Sequence, residues 1–168
     1  MNMLKKLVCA LALCAALPCG AQAADIAVVD VARVYAESKA AQEADAHVNK
    51  VRAVLQQGLA SLEKNLDERK LSQKEREAEL NAGLRVLERQ MQLEIQAARK
   101  VVHDMMTAAV QDWRGKKKSV AVLARQQLID YSPKLDITDS IIKGMNAKTP
   151  QFGAMPVVKI NDAKAEKK

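Results

Sequence analysis

Aromatic side chains are almost missing from this sequence: Tyr35, Trp113, Tyr131 and Phe152 make up 2% of its 168 residues. Aromatics supply much of the buried area of a compact core, so a chain this poor in them relies on helix seams or further subunits for burial. Cysteine occurs only as Cys9, Cys14 and Cys19, all inside the first twenty-three residues. Past that point there is no thiol for a disulfide, a nucleophile or a thiolate metal site. Six glycines and four prolines leave no phosphate-cradling loop, and neither Gly-x-Ser-x-Gly nor His-Glu-x-x-His occurs. His47 and His103 have no ligand partner at helical spacing on their own faces and read as partly solvated helix residues. No enzyme activity and no cofactor are expected.

The one long apolar run is at the start. Lys5 and Lys6 precede Leu7 to Leu17, and Ala21-Gln22-Ala23 is a small-x-small cleavage site, so residues 1–23 read as an export signal peptide. The run is too short to span a membrane. Ala16-Leu17-Pro18 ahead of Cys19 is a poor site for lipid attachment. The expectation is a soluble periplasmic chain of about 145 residues, enough for one domain.

What the sequence has in abundance is helical periodicity. Leu80, Leu84, Leu87, Met91, Ile95, Ala98, Val102, Met106, Ala109 and Trp113 recur at steps of four, three and four. Eleven residues per three turns is 3.67 per turn, so such a stripe stays on one face of a long, nearly straight rod. Val48, Val51, Leu55, Leu59, Leu62 and Leu66 repeat the pattern upstream. Two amphipathic rods with a short polar break between them describe an antiparallel helical hairpin. Ser72 followed by Glu75 is a capping-box pattern that starts the return helix, and Gly115 is a natural stop after Arg114. Gly58, Asn65 and Gly83 read as weak spots at which the rods bend.

Outside the hairpin the period changes. Ile26-Ala27-Val28-Val29-Asp30-Val31 reads as a strand covered on both faces, Ser119 to Leu123 as a second strand, and Gln127 to Tyr131 as a third. Asp136 and Asp139 cap a last helix carrying Ile137, Ile141, Ile142 and Met145. From Lys148 onwards Pro, Gly and Lys accumulate without period, which reads as a disordered tail over 148–168. The fold class is therefore α+β and mostly helical. A coiled-coil hairpin (38–115) is inserted into a small β-rich body made from 24–37 and 116–147.

Charge follows the same division. Residues 38–115 carry thirteen bases against twelve acids, and residues 116–168 eleven against five. A balanced hairpin is a solvated one. The basic C-terminal third, with Lys116-Lys117-Lys118, makes anionic lipid or lipopolysaccharide a candidate contact. An exported chain is not expected to meet nucleic acid.

The segments Ile26-Ala-Val-Val-Asp-Val-Ala-Arg-Val-Tyr35, the hairpin, and Val122-Leu-Ala-Arg-Gln-Gln-Leu-Ile-Asp-Tyr-Ser132 running into Asp136-Ile-Thr-Asp139 resemble the periplasmic chaperone family called Skp or OmpH. The resemblance spans about Ile26 to Asn146. It implies a jellyfish-like homotrimer in which strands from three subunits form a β body and three hairpins project as tentacles. It also implies an ATP-independent holdase that shelters unfolded outer-membrane proteins between the tentacles. The hairpin here is shorter and less basic than is usual in that family; a local basic patch of Arg69, Lys70, Lys74 and Arg76 stands at its tip, beside Glu68, Glu75 and Glu77. A non-catalytic envelope adaptor that docks one folded partner is the alternative.

Two sets of residues are candidates for function. Val86, Leu93, Ala97, Val101 and Met105 form a second stripe displaced by one residue, about 100° around the return helix. One stripe suffices to pair two helices. Val86, Leu93, Val101 and Met105, with Val54 and Leu71, are therefore candidate client-binding residues, and packing between subunits competes for Val101 and Met105. Ile26, Val28, Val29, Val120, Val122, Leu128 and Ile129 are candidates for the oligomerisation body. Trp113 closes the apolar stripe and is expected to anchor the hairpin there.

Overall fold

The computed structural model describes residues 25–115, 117 and 120–158. The expected signal peptide, Lys116, Lys118, Ser119 and the last ten residues lie outside them. Strand β1 (Asp25–Val29) is followed by helices α1 (Val31–Glu37), α2 (Lys39–Glu68) and α3 (Gln73–Arg114), strand β2 (Val120–Ala124) and helix α4 (Thr138–Asn146). The fold is the expected one, mostly helical with a long antiparallel hairpin set into a small β body.

The two strands pair in parallel, Asp25 opposite Val120 through Val29 opposite Ala124. Parallel neighbours need a crossover, and here the whole hairpin is that crossover. At 30 and 42 residues its helices are about 45 and 63 Å long. The capping box forms as the sequence predicts: the Ser72 backbone N–H donates to Glu75 Oε2 at 2.9 Å and Ser72 Oγ accepts from the Glu75 N–H. Gly115 closes α3 at φ 45°, its N–H donating to the Gln111 carbonyl.

The outbound rod, expected to begin near Val31–Ser38 and run to about Arg69, spans Lys39–Glu68, and the short helix α1 precedes it across Ser38. Ser38 is extended, fully buried, and caps α2 by accepting from the Ala41 N–H. The third strand is also corrected. Arg125–Gln127 is a 3₁₀ turn, and Leu128 to Tyr131 continue without pairing. The other side of β1 is met at one point, where Val28 bridges Asp136 and accepts from the Ile137 N–H at 2.9 Å. Arg125 is held back by Asp30, its Nη1 2.6 Å from Oδ2, and Pro133 cannot donate to a ladder.

The core sits where the hairpin is rooted. Val34, Ala40, Ala44, Ala98, Val102, Met106, Ala109, Ile141 and Met145 pack together, with Trp113 and Val122 against them. Four alanines in that list bring α2 and α3 close together. Further out, Leu62, Leu80, Leu84, Leu87 and Met91 are half-buried, because only two helices remain to cover them. At the tip Arg69 pairs with Glu79 and Arg76 with Asp67, fastening α2 to α3. Two of the four bases expected to form a patch there are thus neutralised.

The tail is corrected over 148–158. Lys148 Nζ pairs with Asp112 Oδ2 at 2.7 Å, Pro150 is buried, and the Phe152 ring stacks on His47 at 5.0 Å. His47, expected to be partly solvated, is 9% exposed. Gly58 and Gly83 are packing notches on the hairpin. A Cβ on Gly58 would stand 2.6 Å from Val158 Cγ1, and one on Gly83 would collide with Leu62 Cδ2. Each glycine thus admits a neighbouring side chain that a Cβ would exclude.

A polar lock ties β1 to α4. The Asp30 N–H donates to Thr138 Oγ1 at 2.8 Å, both residues being buried. The Arg33 backbone N–H and then the Arg125 guanidinium hold the Asp30 carboxyl below its ordinary 3.8. Burial pushes the Asp136 carboxyl up, but hydrogen bonds from Thr138 and Tyr131 outweigh it and leave it lowered.

Thr138→Val keeps the shape and removes the acceptor of a buried N–H. It is expected to cost about 1–3 kcal/mol in a urea titration, with helix content retained. Because Asp30, Glu37, Glu75 and Asp136 titrate lower folded than unfolded, the unfolded chain binds more protons in acid. Their stabilisation is complete above the ordinary carboxyl range and is lost as pH falls through the lowered values. The urea midpoint should drop between about pH 5 and pH 2, and Asp30→Asn, less stable at neutral pH, should drop less over that window.

Candidate functional site

Among the client-binding candidates, the most exposed side chains lie on the second stripe of α3. Val86 is one residue from Leu87 in the seam and turned about 100° from it, and Leu93 is two residues from both Met91 and Ile95, about 200° around the helix. Val86 is 66% exposed and Leu93 53%. Burying a valine or leucine fully is worth about 1.5–3 kcal/mol, so two such side chains in water leave a real drive toward a partner. Arg85 and Arg89 line the same hollow as Val86, their stems extending its apolar surface and their guanidinium groups keeping it hydrated.

The remaining stripe residues are less open. Val101 and Met105 are half-buried, with Met105 packed on the root core. Val54 on α2 and Leu71 in the tip loop are half-buried too. Val86 and Leu93 share a face, and the six residues do not converge into one pocket.

The face between the two helices carries a second feature. A cavity of about 370 Å³ is lined by Gly58, Leu62, Ala82, Gly83, Val86 and Leu87, with Arg69 and Glu79 at one end and Val158 at the other. Leu55, Val86, Leu87 and Gln90 continue the wall around Pro156, Val157 and Val158. His47 stands in the buried row of α2, after Ala40 and Ala44 and before Val51 and Leu55. Its Nε2 lies 3.9 Å from Glu94 Oε2 on α3. Sequence reasoning missed this groove and its occupant. Two signals pointed to them: a histidine within an apolar row, and the absence of any charge from Thr149 to Val158.

At the body, Val28 and Val29 are buried in the chain's own core. Val120, Val122 and Leu128 are half-buried, while Ile26 and, completely, Ile129 face outward. The far edge of β2 pairs with no strand among the described residues, and an open edge of this kind is a template for another chain. Lys117 lies over the Trp113 ring, Nζ 3.5 Å from its centre. Among the described residues no cluster of His, Cys, Asp or Glu is arranged to hold a metal, and no helix is long and apolar enough to cross a membrane.

No curated protein matches the chain significantly. A crystal structure from Caulobacter crescentus CB15, described as an outer membrane chaperone (OmpH-like), matches with 20% identity over 84% of this chain and 93% of that one, at a TM-score of 0.48. The model of the family of outer membrane proteins that are OmpH-like matches residues 25–145. By that match over most of its length, the chain belongs to the OmpH-like outer membrane protein family.

Proposed function

We propose that the chain is an ATP-independent holdase chaperone of the periplasm that keeps unfolded outer-membrane proteins from aggregating. The observation that carries this proposal is the exposure of Val86 and Leu93 on a hairpin whose own pairing leaves them unused. A holdase needs apolar side chains that are accessible yet too dispersed to glue its own copies together. Spaced along a charged rod, these two meet that need. Family membership supports the same function.

In this proposal residues 1–23 direct export, 24–37 with 116–147 form the body, and 38–115 form a tentacle. The body joins three subunits through the open edge of β2 and the outward Ile26 and Ile129, so that three tentacles surround one client. Each contact is weak, and enclosure raises the effective concentration of the next. The basic C-terminal third adds attraction to anionic lipid or lipopolysaccharide.

The test is breadth of protection. Several unrelated unfolded barrels, diluted from urea, should stay soluble with the chain and precipitate without it, with no ATP added. Leu93→Asp and Val86→Asp should each weaken client binding by roughly tenfold, the loss of about 1.4 kcal/mol of burial, with subunit number unchanged. Indifference to all unfolded barrels, together with capture of one folded envelope protein, would instead make the chain an adaptor.

A further inference from the structure

Residues 150–158 lie on the hairpin in a way that resembles a bound peptide. They form neither helix nor strand, and their anchor points show that they are stretched out. Phe152 sits on His47 and Val158 against Gly58. Eleven helical residues on α2 span about 16 Å, and six extended residues span about 20 Å. Burial alternates at the two ends: Pro150 and Phe152, then Pro156 and Val158, turn toward the protein with Gln151 and Val157 outward between them, while Gly153, Ala154 and Met155 form an exposed stretch in the middle. No charge interrupts the segment, and Lys148 and Lys159 flank it.

The receiving surface is built for side chains at that spacing. His47 offers a flat ring, and Gly58 leaves the gap that Val158 fills. Beyond Val158 the cavity of about 370 Å³ continues along Leu62, Gly83 and Leu87 toward the tip, unfilled by the described residues. An extended chain with an apolar side chain at every second position is what a strand of an outer-membrane barrel is, since its lipid-facing residues alternate over about ten residues. Val86, placed above among the client-binding residues, touches both the cavity and the place where Pro156 to Val158 sit.

We propose that this groove is a binding site for extended, alternately apolar chain segments, that residues 150–158 are its built-in occupant, and that an incoming unfolded strand displaces them. The identity of that strand rests on the holdase function; the groove and its occupant do not. A tethered occupant covers the part of the apolar floor around Leu55 and Gly58 when no client is present. It lowers apparent affinity by the fraction of time the groove is closed, about tenfold if nine molecules in ten are closed.

Val158→Asp in the full chain unseats the end of the segment, and Val157→Asp, at a 79% exposed side chain, is its matched control. Two probes are added in trans: a fluorescent peptide copying residues 149–158, and a urea-unfolded outer-membrane barrel. Val158→Asp should bind both about tenfold more tightly than the unaltered chain, with Val157→Asp unchanged. Val158→Gly, which removes the seated side chain without adding charge, should shift in the same direction. Adding Gly58→Ala to Val158→Asp should abolish the gain, because the new methyl fills the notch. Equal barrel binding by all variants, or no peptide binding by Val158→Asp, overturns the inference and leaves the holdase standing. Tighter peptide binding with no barrel bound by any variant upholds the groove and removes the holdase.

Discussion

Two five-residue strands, Asp25–Val29 and Val120–Ala124, run side by side in the same direction, and that pairing decides where every helix can go. A parallel neighbour cannot be reached by a tight turn. The ninety residues between the strands must leave the body and return to it, and they do so as one long hairpin rooted at both ends. The root is thicker than the rest. There α1 and α4 lie against the hairpin, so Ala98, Val102, Met106 and Ala109 are buried. The same eleven-residue repeat continues to Leu80, but from Ile95 outward it is only half-covered. One periodic sequence thus yields a core at one end and accessible apolar surface at the other.

That gradient links stability to function. The root holds the polar lock of Asp30, Thr138 and Arg125, whose buried donors and acceptors are matched. The outer hairpin buries Leu66 and is joined at the tip by crossed ion pairs, each worth about 0–1 kcal/mol at a surface. It also relies on residues 150–158 as a third layer over part of its length. A rod held this lightly can exchange one apolar partner for another without unfolding its root.

Much of this was legible in the residues. The hairpin followed from the period, the turn from Ser72 and Glu75, the helix end from Gly115, and β1 from its β-branched run. The misreadings share a cause: local pattern was outweighed by a distant contact. Leu128 and Ile129 look like strand residues, but Arg125 is tied to Asp30 ninety-five positions away. Helix propensity reads Gly58 only as a weak spot, and it ignores the Val158 side chain that fills the gap there. Pro, Gly and Lys content describes the tail as a whole, although the ten residues between Lys148 and Lys159 carry no charge. The exposed pair Val86 and Leu93 could be found in advance, since both lie off the seam that pairs the two helices, although Val86 also borders Pro156 to Val158. The groove could not, because its floor comes from two helices and its occupant from a third part of the chain.

The central claim is that several such hairpins together enclose an unfolded chain, and native mass tests it most directly. The exported form should weigh as three chains alone. After rapid dilution of a urea-unfolded outer-membrane barrel into it, three chains plus one barrel should remain in solution. A monomer or dimer, or a trimer beside which the barrel precipitates, contradicts the claim.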